Sequence, residues 1–209
     1  MQSIETLQRE HRVVTLVADA ARSNLLEERS GGGARVVEID RFIDFFRHYT
    51  IACHHPQEED LLFAALERRG MSWLGYPLDL LIDDRHALRT ALDTASDALF
   101  QARAGDEAAA EQALDRLAEY LDPLMRHVQM EEEILLPIAA RWLSAADLEA
   151  LDERFAEIAC DEANEGMREY YTDMAFELAG NAVLPASGQG TFVTVREPSA
   201  PEGDGTSAS

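Results

Sequence analysis

Two histidine–glutamate pairs with the same spacing are the strongest candidates for chemistry in this chain. His54 precedes Glu58 by four residues in CHHPQEEDLLF, and His127 precedes Glu131 by four residues in RHVQMEEEILLP. In a helix this spacing places both side chains on one face, about one turn apart. An imidazole nitrogen and a carboxylate oxygen so placed can bind one metal ion or one half of a metal pair. The repetition predicts two helices that face each other across a shared site.

The elements that carry these pairs are predicted to be long helices. Apolar residues recur at helical spacing, and glycines or capping residues separate the stretches. Helices are predicted at about 3–29, 40–69, 78–104, 106–143 and 144–164, with further helical turns in MREYYTDMAFELAG. Ser3 is the expected N-cap of the first helix, and Ser144 with Asp147 resembles a capping box. Three prolines fall inside helical patterns and predict kinks or interruptions: Pro56, Pro123 and Pro137.

The fold class that follows is all-α, an antiparallel up-down-up-down four-helix bundle with an additional C-terminal helix and a disordered tail. The bundle is expected over residues 1–145, the helical extension over 146–180 and the tail over 181–209. The tail is rich in Gly, Pro, Ser and Thr and lacks periodicity, which is typical of disorder.

Each of the four bundle helices carries one candidate histidine: His11, His54, His86 and His127. Three of them lie among apolar residues on a core face, whereas the pattern around His86 does not fix an inward orientation. A lone histidine on an apolar face is more often a packed core residue, so the prediction depends on the four helices together. Two buried glutamates also need a cation or a metal, and no Lys or Arg lies close on either face.

A second register of the first pair stays open. His55 precedes Glu59 by four residues, so His55–Glu59 is the alternative to His54–Glu58. In the favoured interpretation, His48 and His55 lie at the surface or support the ligands from outside.

Four neighbours of the pairs are expected to have ordinary roles. Glu132 and Glu133 are expected to face solvent, and Cys53 is expected to be a small packing residue. Tyr120 lies seven residues before His127 and is expected to pack in the core, with a hydrogen bond to a bound ligand as the alternative.

Composition excludes several classes of function. The 209-residue chain has a formal net charge of −22 and no cluster of Lys or Arg that could neutralise phosphates. Nucleic acids and anionic membranes are therefore not expected as partners. No apolar run approaches the roughly 20 residues of a membrane span, and the first residues do not resemble a signal peptide. With only two cysteines and no disulfide framework, a cytoplasmic location is expected.

The ligand types indicate which metal to expect. Imidazole and carboxylate without thiolate suit iron, and zinc or manganese would suit the same ligands. Six protein ligands are too many for one tetrahedral zinc ion. They suit two ions, each with two histidines, bridged by the two glutamates and a solvent oxygen. Such ions keep an open coordination position for a small molecule.

Four motifs in order, QREHRVV, CHHPQEEDLLF, DDRHALRTAL and RHVQMEEEILLP, resemble those of the hemerythrin-like family, also called the HHE cation-binding domain. The resemblance covers roughly residues 1–145 and implies a four-helix bundle with two iron ions in a non-haem centre, bridged by carboxylates and an oxo or hydroxo group. Carried over residue by residue, the implied metal ligands are His11, His54, Glu58, His86, His127 and Glu131.

The sequence departs from the oxygen-carrying hemerythrins in two respects. Those proteins have a further histidine four residues from the one on the third helix, whereas Ile82 and Thr90 stand at that spacing from His86. They also use an aspartate where this chain has Glu132, and Glu131 is the better-placed carboxylate. The pattern instead resembles a bacterial subgroup with four histidines and two glutamates.

The resemblance implies a di-iron protein that binds or reduces a small oxidant, namely O2, NO or H2O2, in oxidative or nitrosative stress. A redox partner is compatible with this function, but the sequence identifies none. The alternative is a module that senses or stores iron or oxygen without turnover. A third interpretation is a helical bundle without metal.

Overall fold

A computed structural model describes residues 1–27, 36–159 and 162–180 of the chain. These residues form helices and turns, and no strand occurs among them. The helices are α1 (Gln2–Glu27), α2 (residues 36–68), α3 (Leu78–Arg103), α4 (residues 107–142), α5 (Ala145–Ala159) and α6 (Glu162–Leu178). The all-α prediction is confirmed. The predicted tail from residue 181 lies outside the described residues.

The first four helices run antiparallel to their neighbours. Along each interface, residues near the start of one helix contact residues near the end of the other. The contacts are Glu10–His54 and Asn24–Glu38 between α1 and α2, Glu58–Arg85 and Asp40–Arg103 between α2 and α3, and Gln8–Glu132 and Arg22–Asp122 between α1 and α4. Only residues 104–106 connect α3 to α4, so these two helices also reverse direction. The order is the predicted up-down-up-down bundle.

Glycines and capping side chains end and start the helices as predicted. Gly70 follows α2 with φ +90° and Gly105 follows α3 with φ +96°, a backbone region in which glycine carries little strain. Asp106 caps α4 by accepting a hydrogen bond from the backbone N–H of Ala109 at 3.2 Å. The capping box before α5 is confirmed, since Ser144 N–H donates to Asp147 Oδ2 at 2.8 Å and Asp147 N–H donates to Ser144 Oγ at 3.3 Å.

The start of α1 differs from the prediction. Ser3 lies inside the helix and is buried, and its backbone N–H donates to Asp152 Oδ1 of α5 at 2.7 Å. A carboxylate from a distant helix therefore takes the capping role that the sequence suggested for Ser3, because α5 packs across this end of α1. The last helix, α6, is longer than the expected turn or two and has 17 residues.

Pro56 and Pro137 change the winding of α2 and α4 without ending them. In α2, the segments Phe46–His54 and Glu58–Phe63 are π-helical, and in α4 the segment Glu131–Leu135 is π-helical. Each proline lies at the start of the α-helical segment that follows a π segment. Because proline lacks an N–H and its ring crowds the preceding turn, a wider π turn accommodates it. His54 and Glu58 of α2 and Glu131 of α4 lie at the ends of these π segments.

A layer of buried polar side chains separates the two large clusters of the apolar core. One cluster extends from Val13 and Phe46 to Leu88 and Leu124, and the other includes Leu7, Leu62, Leu81 and Leu135. The polar layer lies between them on all four bundle helices. Its members are Glu10, His11, His54, His55, Glu58, Arg85, His127 and Glu131. None of the described helices combines the length and apolar character that a membrane crossing requires.

Candidate metal centre

Four of the predicted ligands converge at one point in the polar layer. His11 comes from α1, His54 and Glu58 come from α2, and Glu131 comes from α4. Their relative exposures are 2%, 2%, 0% and 0%, and one ligand atom from each lies within 4.8 Å of the other three. Antiparallel packing brings the His54–Glu58 face of α2 opposite Glu131, while α1 inserts His11 between them.

The four converging residues each present one atom without a hydrogen-bond partner among the described residues. These atoms are His11 Nε2, His54 Nε2, Glu58 Oε1 and Glu131 Oε2. His11 Nε2 lies 3.2 Å from Glu131 Oε2 and 3.6 Å from Glu58 Oε1. Because buried polar atoms are nearly always partnered, an orphaned set of two imidazole nitrogens and two carboxylate oxygens needs an explanation. One metal ion would satisfy all four, so these residues fit a metal of the kind that the sequence predicted.

The other ring nitrogen of both histidines is held by a carboxylate. His54 Nδ1 lies 2.9 Å from Glu10 Oε2, and His11 Nδ1 lies 2.7 Å from Glu132 Oε1. Since a carboxylate only accepts, each Nδ1–H is the donor, and each Nε2 is directed toward the cluster. Such carboxylate–histidine pairs orient metal ligands and raise their basicity.

Neither supporting carboxylate was identified from the sequence. Glu132 was expected to face solvent, but its side chain is only 31% exposed because the π turn of α4 directs it toward α1. Glu10 lies outside the His-x-x-x-Glu pattern from which the ligands were predicted. A signal was present, since Glu10 occupies the inward spacing of α1 between Leu7 and Val14.

The C-terminal helix supports the site from outside. Arg168 of α6 forms an ion pair with Glu10, with Nη1 3.2 Å from Oε1, so Glu10 is held between a histidine and an arginine. A cleft of about 460 Å³ lies on this side of the bundle and is lined partly by Arg9, Glu10, Tyr49 and Arg168. The predicted extension is therefore packed onto the bundle where it contacts the polar layer.

Arg85 of α3 contacts the opposite side of both glutamates. Its guanidinium bonds to Glu58 Oε2 and, at 2.7 Å, to Glu131 Oε1. It also donates to Glu59 Oε1 at 3.0 Å and to the backbone oxygen of His55 at 3.1 Å, and it lies over the Phe63 ring at 4.5 Å. No Lys or Arg on the glutamates' own helical faces was expected as a partner, and the cation that pairs with them comes from a different helix, α3. Arg85 shares the inward spacing of Leu81, Leu88 and Leu92, and that pattern could have identified it.

The structure does not place His86 in the site. Its side chain is exposed, because a helix rotates by about 100° per residue and Arg85 takes the inward position. His127 is fully buried in the polar layer, with Nε2 2.9 Å from Glu131 Oε1 and 3.4 Å from Arg85 Nε. It therefore lies on the Arg85 side of Glu131 and is not among the four converging residues.

The structure shows the His54–Glu58 register on α2 and not the alternative, His55–Glu59. His54 and Glu58 face the cluster, with His54 Nε2 3.5 Å from Glu58 Oε2. His55 is buried, with its ring 5.3 Å from that of His127, so it does not take the surface position, and its expected role of supporting the ligands from outside stays a prediction. Glu59 pairs with Arg85 instead.

Three further residues are placed as follows. His48 lies near the surface, where its ring stacks on Tyr171 of α6 at 5.5 Å. Cys53 is half-buried and contacts Met167, as expected of a packing residue. Tyr120 is fully buried against Phe46, with ring centroids 5.1 Å apart, as core packing predicts.

The electrostatics of the layer show how its charges balance. Burial opposes a charged His11, yet Glu131, Glu132 and Glu58 raise the pKa of His11 well above its ordinary value. Burial also opposes a charged Glu131, but His127 and Arg85 hold the pKa of Glu131 well below its usual range. Burial, together with the Arg85 cation, lowers the pKa of His55 well below its ordinary value.

A helical bundle with such a layer of histidines and carboxylates has the architecture of a metal-binding bundle protein. The comparison with protein families agrees. The family model described as hemerythrin HHE cation binding domain matches residues 2–139, and the chain belongs to this family. No curated protein and no solved structure matches the chain.

Proposed function

We propose that this protein is a non-haem iron protein that binds or reacts with a small oxidant, namely O2, NO or H2O2. The observation that carries the proposal is the set of four unpartnered donor atoms, which come from His11, His54, Glu58 and Glu131. Membership of a cation-binding family supports it. Imidazole and carboxylate ligands without thiolate favour iron, with manganese and zinc as competing ions. A role in oxidative or nitrosative stress is part of the proposal.

Bound iron would supply a redox-active centre with coordination positions left open for a small molecule. The residues of the chain have separate tasks around it. Glu10 and Glu132 hold the Nδ1 protons of His54 and His11, which keeps both Nε2 atoms directed at the metal. The two apolar clusters on either side of the layer exclude bulk water.

The alternative is a module that senses or stores iron or oxygen without turnover. The contact between Arg168 and Glu10 favours sensing, because it connects a side chain that holds a ligand directly to α6. A change in the position of His54 would then be transmitted to the C-terminal helix.

The test is iron content with an optical spectrum, measured on protein loaded with Fe(II) without oxygen and then exposed to each oxidant. Glu131→Ala should lose most of its iron, whereas Glu133→Ala should retain it, since Glu133 is exposed and bonds only to Gln129 among the described residues. Steady consumption of peroxide or NO would support reaction, and a single stoichiometric spectral change would support sensing. Wild-type protein that binds no iron would overturn the proposal.

A further inference from the structure

The two buried glutamates each bridge between the four-donor cluster and Arg85. Glu58 Oε1 and Glu131 Oε2 face the histidines without partners, whereas Glu58 Oε2 and Glu131 Oε1 both bond to Arg85 Nη2. When a pair of carboxylates bridges two metal ions, each carboxylate likewise directs one oxygen to each cation. One cation position is therefore defined by the histidines, and the other is filled by a guanidinium.

We propose that Arg85 permanently takes the place of a second metal ion, so that the centre binds one ion rather than two. This inference rests on the proposed metal-binding function and defines how many ions the site holds. It departs from the two ions that the sequence resemblance implied.

Charge and burial make displacement of Arg85 unfavourable. Its side chain is 2% exposed, and a guanidinium does not lose its charge in proteins. Arg85 already balances one of the two charges of Glu58 and Glu131, so a single divalent ion is enough to balance the other. A second divalent ion at the Arg85 position would have to lie against the buried guanidinium, and this like-charge contact is costly.

The second position also lacks the α3 histidine that a metal ion would need there. The histidine that the sequence resemblance assigned to α3, His86, faces solvent. His127 is the one remaining imidazole that contacts a glutamate on the Arg85 side within the described residues. The carboxylate oxygens on this side are already partnered, because Glu58 Oε2, Glu131 Oε1 and Glu59 Oε1 all bond to the guanidinium.

The test replaces the guanidinium by the ligand type that a second ion would need. In Arg85→His, an imidazole stands at the inward position of α3, beside His127 and the second oxygens of both glutamates. Arg85→Lys keeps the positive charge, and Arg89→His makes the same change to histidine one turn later at an exposed residue. Circular dichroism checks that each variant is folded.

The readouts are iron per chain, by elemental analysis and native mass spectrometry, and the electron paramagnetic resonance of the ferric protein. We expect one iron and the signal of an isolated ferric ion for wild type, Arg85→Lys and Arg89→His. Arg85→His should take up a second iron and lose signal, because two bridged ferric ions couple.

The outcomes separate this inference from the proposed function. Two irons per wild-type chain, or a ferric form without signal, would overturn the inference and leave the metal-binding function intact. A folded Arg85→His that still binds one iron would also overturn it. Wild-type protein without iron would overturn the proposed function, and the inference with it. If Arg85→His does not fold, the test is the iron content of wild type and Arg85→Lys. One iron per chain in both supports the inference, and two irons per chain in either overturns it.

Discussion

Glu10 should control metal affinity without contacting the metal. Its Oε2 accepts from His54 Nδ1 at 2.9 Å, and its Oε1 forms an ion pair with Arg168 Nη1 at 3.2 Å. The side chains of Glu10 and His54 are only 7% and 2% exposed, so water cannot readily replace the lost partner. In Glu10→Ala the His54 ring loses the carboxylate that fixes its tautomer and orientation.

The expected magnitude follows from this geometry. Removing a carboxylate that holds a metal-binding histidine typically weakens metal affinity by about 10- to 100-fold. Each factor of ten corresponds to about 1.4 kcal/mol. Because the Glu10–His54 bond is buried, we expect Glu10→Ala near the upper limit of 100-fold, which is about 2.8 kcal/mol. Glu10→Gln keeps an oxygen that can accept from Nδ1–H but loses the charge, so we expect about 10-fold.

The assay is competition for Co(II) or Fe(II) between the protein and a chromophoric chelator, without oxygen. Glu133→Gln is the matched control, because it removes one negative charge from an exposed residue of α4. Thermal unfolding without metal separates lost affinity from lost stability. An unchanged affinity in folded Glu10→Ala would refute the argument that the carboxylate orients His54 for a metal.

Two further predictions concern the placement of His86 and the core. His86→Ala should leave the iron content unchanged, because the side chain faces solvent. A loss of iron in this variant would mean that α3 rotates when metal binds. Phe46→Ala should lower the free energy of unfolding of the metal-free protein by about 3–5 kcal/mol, measured by urea denaturation, because the ring is fully buried. Phe100→Ala is the control and should change stability little, since Phe100 is 69% exposed, and equal losses in both would contradict the described core.

Local rules predicted the helices and part of the site. The i,i+4 spacing of His54 with Glu58 placed both on one face of α2, and apolar neighbours placed His11, His127 and Glu131 inward. The glycine stops and the capping box depend on interactions within a few residues. For this reason they could be predicted from the sequence alone.

The sequence pattern also indicates buried charged residues that do not belong to the metal-binding motifs. Arg85 and Glu10 both occupy inward helical spacing, which shows that they are buried. The motif predicted His86 as the ligand of α3. His86 follows Arg85 by one residue, and the rotation of about 100° between them directs Arg85 inward and His86 to solvent.

Which side chains the buried charges contact was decided only by the tertiary structure. Arg85 bonds to glutamates of α2 and α4, and Glu10 joins His54 of α2 to Arg168 of α6. These contacts depend on the rotation and axial position of each helix against the others, which the packing of the two apolar clusters fixes. The sequence therefore determined a helical bundle with a buried layer of histidines and glutamates. The packing of that bundle determined that a guanidinium lies between the glutamates where the sequence suggested a second metal ion.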